Sequence, residues 1–188
     1  MLELKELEHF NDEVASLKQT SYDETNDAYL INLDVKVYDF DKIKERYVKE
    51  LKTCLSLSSI SSFRSKDALY NKNGKFIFIE FKNGCITSKM GKEKIRSKIS
   101  ESLLILTDIL DAKLQEIRDI CCCILLYNKD KNELLEKQRG TSKYKLFTSI
   151  AHLAKTNHLI EGFDRYRVFF SKVNTINEEK LEAVLKSL

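Results

Sequence analysis

The chain has 188 residues, 43% of them apolar and 32% charged, with a formal net charge of +3. These values exclude wholesale disorder and a membrane-spanning bundle, and they predict a single domain, residues 1–188. With no Pro, no Trp and only five Gly, the chain leans towards long regular elements rather than flexible linkers. From the N-terminus, Leu2, Leu7, Phe10, Val14 and Leu17 recur at mostly helical spacing and predict a surface helix over residues 1–18. Residues 1–27 hold eight acidic side chains against two basic ones, an arm that repels phosphate and suits a protein partner. It has neither the basic nor the apolar region of a secretion signal.

Ile31, Leu33, Val35 and Val37 alternate with polar residues and predict a half-buried strand. Asp39 or Asp41 caps the helix that follows, whose apolar stripe is Ile43, Tyr47, Leu51 and Leu55. Residues 56–65 contain six serines and read as a loop or a short irregular strand. Asn71-Lys72-Asn73-Gly74 is strong turn chemistry, because Asn and Gly tolerate positive φ. It predicts a hairpin over Leu69 to Lys82. Phe76 and Phe78 lie on one face of its second strand, with Ile77, Ile79 and Phe81 on the other, so that strand is central and buried on both sides. A long helix is predicted from Lys92 to Ile117 along Ile95, Ile99, Leu103, Leu106, Leu110, Leu114 and Ile117, covering the hairpin strand.

Residues 119–128 predict another doubly buried strand, and residues 129–145 a polar loop. Leu146 to Lys155 predict a helix, Tyr166 to Phe170 a strand, and Glu178 to Leu188 a last helix. This mixture of helices and strands predicts an α/β protein, a three-layer-like α/β sandwich with a mixed central sheet and additions at both termini. The five cysteines are odd in number, three are consecutive and none forms a CxxC pair, so they read as reduced thiols. The longest apolar run, Ile120 to Tyr127, is too short to span a bilayer, and a cytoplasmic location is expected. His9, His152 and His158 form no metal or triad pattern, and Phe163, Tyr166, Phe169 and Phe170 read as packing residues flanked by solvated Arg165 and Arg167.

Charges do not belong on a buried strand unless they are paired or hold a metal. Glu80 and Lys82 nevertheless sit on the most hydrophobic strand, two residues apart and hence on one face. Counting back across the turn brings Asp67 beside residues 78–80. Two carboxylates and an ammonium at one sheet end suit metal-assisted phosphodiester cleavage. Asp67 and Glu80 would be ligands for Mg2+ or Mn2+, and Lys82 would orient water and stabilise charge on the phosphate. The competing reading is an ion pair of Glu80 with Lys82 where the sheet meets water.

Ser65-Lys66-Asp67, then Ile79-Glu80-Phe81-Lys82, then a helix and a strand resemble the core of the PD-(D/E)XK nuclease superfamily. The resemblance implies an αβββαβ core, metal ligation by Asp67 and Glu80, and a catalytic role for Lys82. It requires a first core strand within Ser56 to Phe63, and it points to Glu45 or Glu50 as a further acid on the first core helix. The motif residue before Asp67 departs from the pattern, being Lys66 in a chain without proline. Polar residues Lys98 and Glu101 would face the site.

Residues 82–98 carry six basic side chains and one acid, and Lys89, Lys92, Lys94, Arg96 and Lys98 would hold the phosphates of a nucleic acid. The expected function is a metal-dependent nuclease, a hydrolase acting on DNA or RNA, from a mobile-element or defence system. The alternative is a non-catalytic protein-binding module on the same fold, such as a toxin-neutralising immunity protein.

Overall fold

A two-residue loop organises the centre of the molecule. Asn73 and Gly74 both take positive φ, 53° and 76°, the backbone that a tight hairpin turn with the strands' own twist requires. The computed structural model describes residues 8–56, 59, 63–84, 88–131, 160 and 162–187. In it, β5 (Ala68–Lys72) and β6 (Lys75–Lys82) pair antiparallel through Lys72↔Lys75, Tyr70↔Ile77 and Ala68↔Ile79. An L side chain at the left-handed φ of Gly74 is strained, so Gly74→Ala is expected to lower stability by about 1 kcal/mol. Urea unfolding should register it as a lower midpoint at unchanged slope.

The hairpin lies inside a six-stranded mixed sheet of order β1-β4-β5-β6-β7-β8. Strands β1 (Val14–Ser16), β4 (Lys36–Asp39), β5 and β6 pair antiparallel with one another in that order. Strands β7 (Cys121–Tyr127) and β8 (Lys172–Asn177) continue parallel to β6. A separate two-stranded ribbon joins β2 (Tyr22–Asp23) to β3 (Ala28–Tyr29).

Alternation along the central strands sends side chains into two cores. Phe76, Phe78, Cys121, Cys123 and Leu125 pack under helices α2 (Phe40–Cys54), α3 (Lys89–Ile109) and α4 (Leu114–Ile120). Ile77, Ile79, Cys122, Ile124 and Leu126 pack on the other face with Leu17 of α1 (Leu17–Thr20) and with Leu181 and Leu185 of α5 (Glu178–Lys186). The fold is therefore an α/β sandwich with a mixed sheet as its middle layer. The cysteine triplet is buried and unbridged, three small apolar side chains divided between the two cores.

Several elements differ from expectation for identifiable reasons. The described part of the expected N-terminal helix is a 3₁₀ turn (Glu8–Phe10) followed by β1, because Asp12 takes φ 63° and Val14–Ser16 finds a pairing edge on β4. Only Lys36 onward is strand in the expected segment 31–37. The Val35 and Leu33 carbonyls instead accept the Leu17 and Lys18 N–H groups at the start of α1. The single long helix divides into α3 and α4 at Asp111, whose φ of 46° ends the run, and Leu114 is consequently exposed.

Residues 164–168 are a 3₁₀ helix, not a strand. Phe163, Tyr166 and Phe170 are the buried positions, while Val168 faces out, and the strand is β8. The strand flanking β5 is β4, which precedes α2, so the described chain runs β-α-β-β-α rather than α-β-β-β-α up to β7. Of the segment 56–63 that was to supply the first core strand, residues 56, 59 and 63 are not strand, and the rest lies outside the described residues. The expected loop beyond residue 131 and the helix Leu146 to Lys155 also lie outside them.

Candidate functional site

Three side-chain clamps fix the chain as it enters β5. The Ser65 hydroxyl donates to Asp41 in the first turn of α2. The Arg64 N–H donates to Glu101, and the Lys66 N–H to Ser102 Oγ at 2.7 Å, both on α3. The Phe40 N–H also reaches the Asp67 carbonyl at 3.3 Å. Continuing the hairpin register one step beyond Ala68↔Ile79 sets Asp67 opposite Glu80. The two strands therefore deliver their carboxylates to one spot, on the face covered by α2 and α3.

Lys98 of α3 closes that spot. Its Nζ lies 2.8 Å from Asp67 Oδ1 and 3.0 Å from Glu80 Oε1, while Lys82 Nζ lies 2.9 Å from the same Glu80 oxygen. Both contacts to Glu80 have the distance of ion pairs without hydrogen-bond alignment, and Oε2 has no hydrogen-bond partner among the described residues. Glu80 is fully buried, whereas the Asp67, Lys98 and Lys82 side chains keep 17%, 21% and 27% of their surface, so the cluster is partly reached by solvent. Asp67 Oδ2 accepts the Phe81 N–H, which ties it across the hairpin. Lys66 is fully buried, and its Nζ has no hydrogen-bond partner among the described residues.

Burial pushes the Glu80 carboxyl up, but Lys66, Lys98 and Lys82 outweigh it and hold Glu80 below its ordinary 4.5. Burial and the adjacent Glu80 charge push Asp67 up to about 6, against the pull of Lys98 and the Phe81 N–H. Burial opposes charge on Lys98, yet Glu80 and Asp67 outweigh it and raise this group above the usual lysine range.

The signs give a testable pH dependence. Between 3.8 and about 6 the folded state keeps a proton on Asp67 that the unfolded chain has released. That contribution is complete below 3.8 and is lost as pH rises through about 6. The Glu80 contribution runs oppositely, complete above 4.5 and lost as pH falls below it. In chelator-treated buffer, Asp67→Asn should remove the component that falls between pH 4.5 and 6; identical slopes for variant and wild type over that window would refute the assignment.

The structure thus brings together Asp67, Glu80 and Lys82. Lys98, expected both on nucleic-acid phosphate and among the polar residues facing the site, lies on the two carboxylates, and Lys66, which sequence reasoning noted only as a departure from a motif, joins them. Lys98 precedes Ile99 of the buried stripe and lies four residues before buried Ser102, so its place at the margin of the apolar face was the available signal. Neither expected acid of the first core helix joins the site. Glu45 is exposed, and Glu50 pairs with His9 at 2.7 Å, while Asp41 is the α2 acid that touches the 64–67 segment. Lys89 and Lys94 are exposed at the start of α3, and Lys92 and Arg96 are half-buried.

Among the described residues, no group of three or more His, Cys, Asp or Glu side chains is arranged to hold a metal ion. Asp67 and Glu80 are a two-carboxylate set, and they already converge on one cation. That number of protein ligands suits a hard divalent ion, which keeps water and takes substrate oxygens for the remainder. No helix among the described residues is long and apolar enough to cross a membrane. No protein-family model matches the chain, and no curated protein or solved structure is significantly similar to it.

Proposed function

We propose that the protein is a metal-dependent phosphodiesterase acting on DNA or RNA. One observation carries this reading: carboxylates from two adjacent strands share the Lys98 ammonium at 2.8 and 3.0 Å, with Lys82 beside them in a partly exposed cluster. Mg2+ or Mn2+ held by Asp67 and Glu80 would supply Lewis-acid polarisation of a phosphoryl oxygen and a more acidic water. Lys82 is then placed to stabilise charge building on the phosphate. Glu80, kept ionised by its lysine neighbours, stays competent as a ligand at neutral pH. The clamps at residues 64–66 hold Asp67 on rigid elements, as such a constellation requires. Exposed Lys89 and Lys94 at the start of α3 offer phosphate contacts outside the cluster.

The direct test incubates the full chain with single- and double-stranded DNA and RNA in Mg2+ or Mn2+. The expected result is cleavage that chelator stops and Glu80→Gln loses. A wild type that cuts none of these with either ion overturns the reading. A second reading is favoured by Lys98 and Lys82, which already pair with the two carboxylates: the cluster is a structural ion-pair network in a protein-binding module of the toxin-neutralising kind. That reading expects no cleavage and a melting temperature unmoved by divalent ions.

A further inference from the structure

We infer that Lys98 is a resident counter-ion which a divalent cation must displace, so that metal and phosphodiester bind this site cooperatively. The inference rests on Asp67 and Glu80 being metal ligands and adds the order and linkage of their loading.

The geometry is specific. Lys98 Nζ stands at 2.8 Å from one carboxylate and 3.0 Å from the other, the two groups that would share a common metal. A cation cannot enter between those groups while the ammonium stays, since like charges at contact distance repel strongly in a half-buried cluster. Lys98 sits on α3, a separate element from the hairpin, with a long flexible stem and 21% of its side chain exposed. It therefore has a route outward without unfolding the strand pair that holds Asp67 and Glu80.

Charge balance supplies the linkage. The formal charges of Lys66, Lys82 and Lys98 already exceed those of Asp67 and Glu80, so the cluster is net positive before any metal arrives. Lys66 is fully buried and cannot move its charge to water. A divalent ion alone enlarges the positive surplus, and its uptake is correspondingly weak. A phosphodiester bound at the same time brings negative charge, accepts the released Lys98 ammonium and completes the coordination that two carboxylates leave open. Each ligand then strengthens the other by the same factor, as reciprocity requires. The device keeps the ion out until substrate is present.

The test titrates Mn2+ alone into the full chain by calorimetry, then repeats the titration with a cleavage-resistant phosphorothioate oligonucleotide present, for wild type and Lys98→Met. Wild type is expected to bind Mn2+ on the order of tenfold more tightly with the oligonucleotide than without. K98M is expected to bind Mn2+ alone on the order of tenfold more tightly than wild type, with the oligonucleotide effect reduced. A K98M affinity for Mn2+ alone no greater than wild type overturns the inference, as does the absence of any oligonucleotide effect on wild type. If K98M fails to fold, Lys98→Gln and the wild-type pair of titrations decide. The two readings separate cleanly. Tighter Mn2+ binding by K98M in a protein that cuts no nucleic acid keeps the counter-ion and ends the nuclease assignment. Cleavage by a wild type whose Mn2+ affinity ignores both the oligonucleotide and Lys98 does the reverse.

Discussion

Glu80→Ala is expected to cost the fold about 3–5 kcal/mol, the scale seen when one partner of a buried ion pair is removed. Glu80 has no exposed surface, and it is the one carboxylate that stabilises its charge against Lys66, Lys82 and Lys98 together. Taking it away leaves Lys66 buried without that counter-charge, and Lys98 retains only Asp67. The loss should appear as a strongly lowered urea midpoint or melting temperature in metal-free buffer. It follows from burial and charge alone, so it is expected whether or not the site cleaves anything. Restoring the balance with a second substitution, Lys66→Met, should recover part of the loss, because the two sites share one electrostatic network. A Glu80→Ala variant as stable as wild type would mean that the ammonium groups find other partners, and the cluster described above would be wrong.

Lys82→Ala separates chemistry from architecture. Lys82 pairs with Glu80 at 2.9 Å but keeps 27% of its side chain exposed, and Lys98 contacts the same Glu80 oxygen. Its removal leaves Glu80 paired, so stability should change by less than about 1 kcal/mol, the usual worth of a solvent-accessible ion pair. For a phosphodiesterase, the same change should lower the cleavage rate on the order of 10²–10³-fold, the effect of deleting one preorganised electrostatic donor. Mn2+ binding should persist, since Lys82 is not a ligand. Equal cleavage rates for Lys82→Ala and wild type would remove Lys82 from the proposed chemistry.

What could be read in advance follows the range of the physics. The β5–β6 hairpin, the buried β7 strand and the α3 stripe are local patterns of turn chemistry, two-residue alternation and helical spacing, and they stand as expected. Asp67, Glu80 and Lys82 were likewise reachable, because hairpin register converts sequence distance into spatial distance. Lys98 was expected both in the basic run and, through the resemblance, as a polar residue facing the site. Its contact with both carboxylates was not legible, since that depends on where α3 crosses the hairpin. The 164–168 turn misled for a related reason: Tyr166, Val168 and Phe170 alternate, but burial follows Phe163, Tyr166 and Phe170. Glu50 lies on the exposed side of α2, where it pairs with His9 rather than with the site.

The mixed sheet also sets an order of assembly. The hairpin needs only the turn at Asn73-Gly74 and closes on the microsecond scale, whereas β7 reaches β6 after the whole crossover through α3 and α4, residues 83–120. An early hairpin therefore juxtaposes Asp67 and Glu80 before α3 has delivered Lys98. Until that helix docks, Glu80 has Lys82 of its own strand as a partner, while Asp67 has the Phe81 N–H but no ammonium at contact distance. Docking of α3 brings Lys98 to both carboxylates and covers Phe76 and Phe78 in the same step. The charge cluster in this sense is finished by the slow crossover, although its two carboxylates are set in place by the fast hairpin.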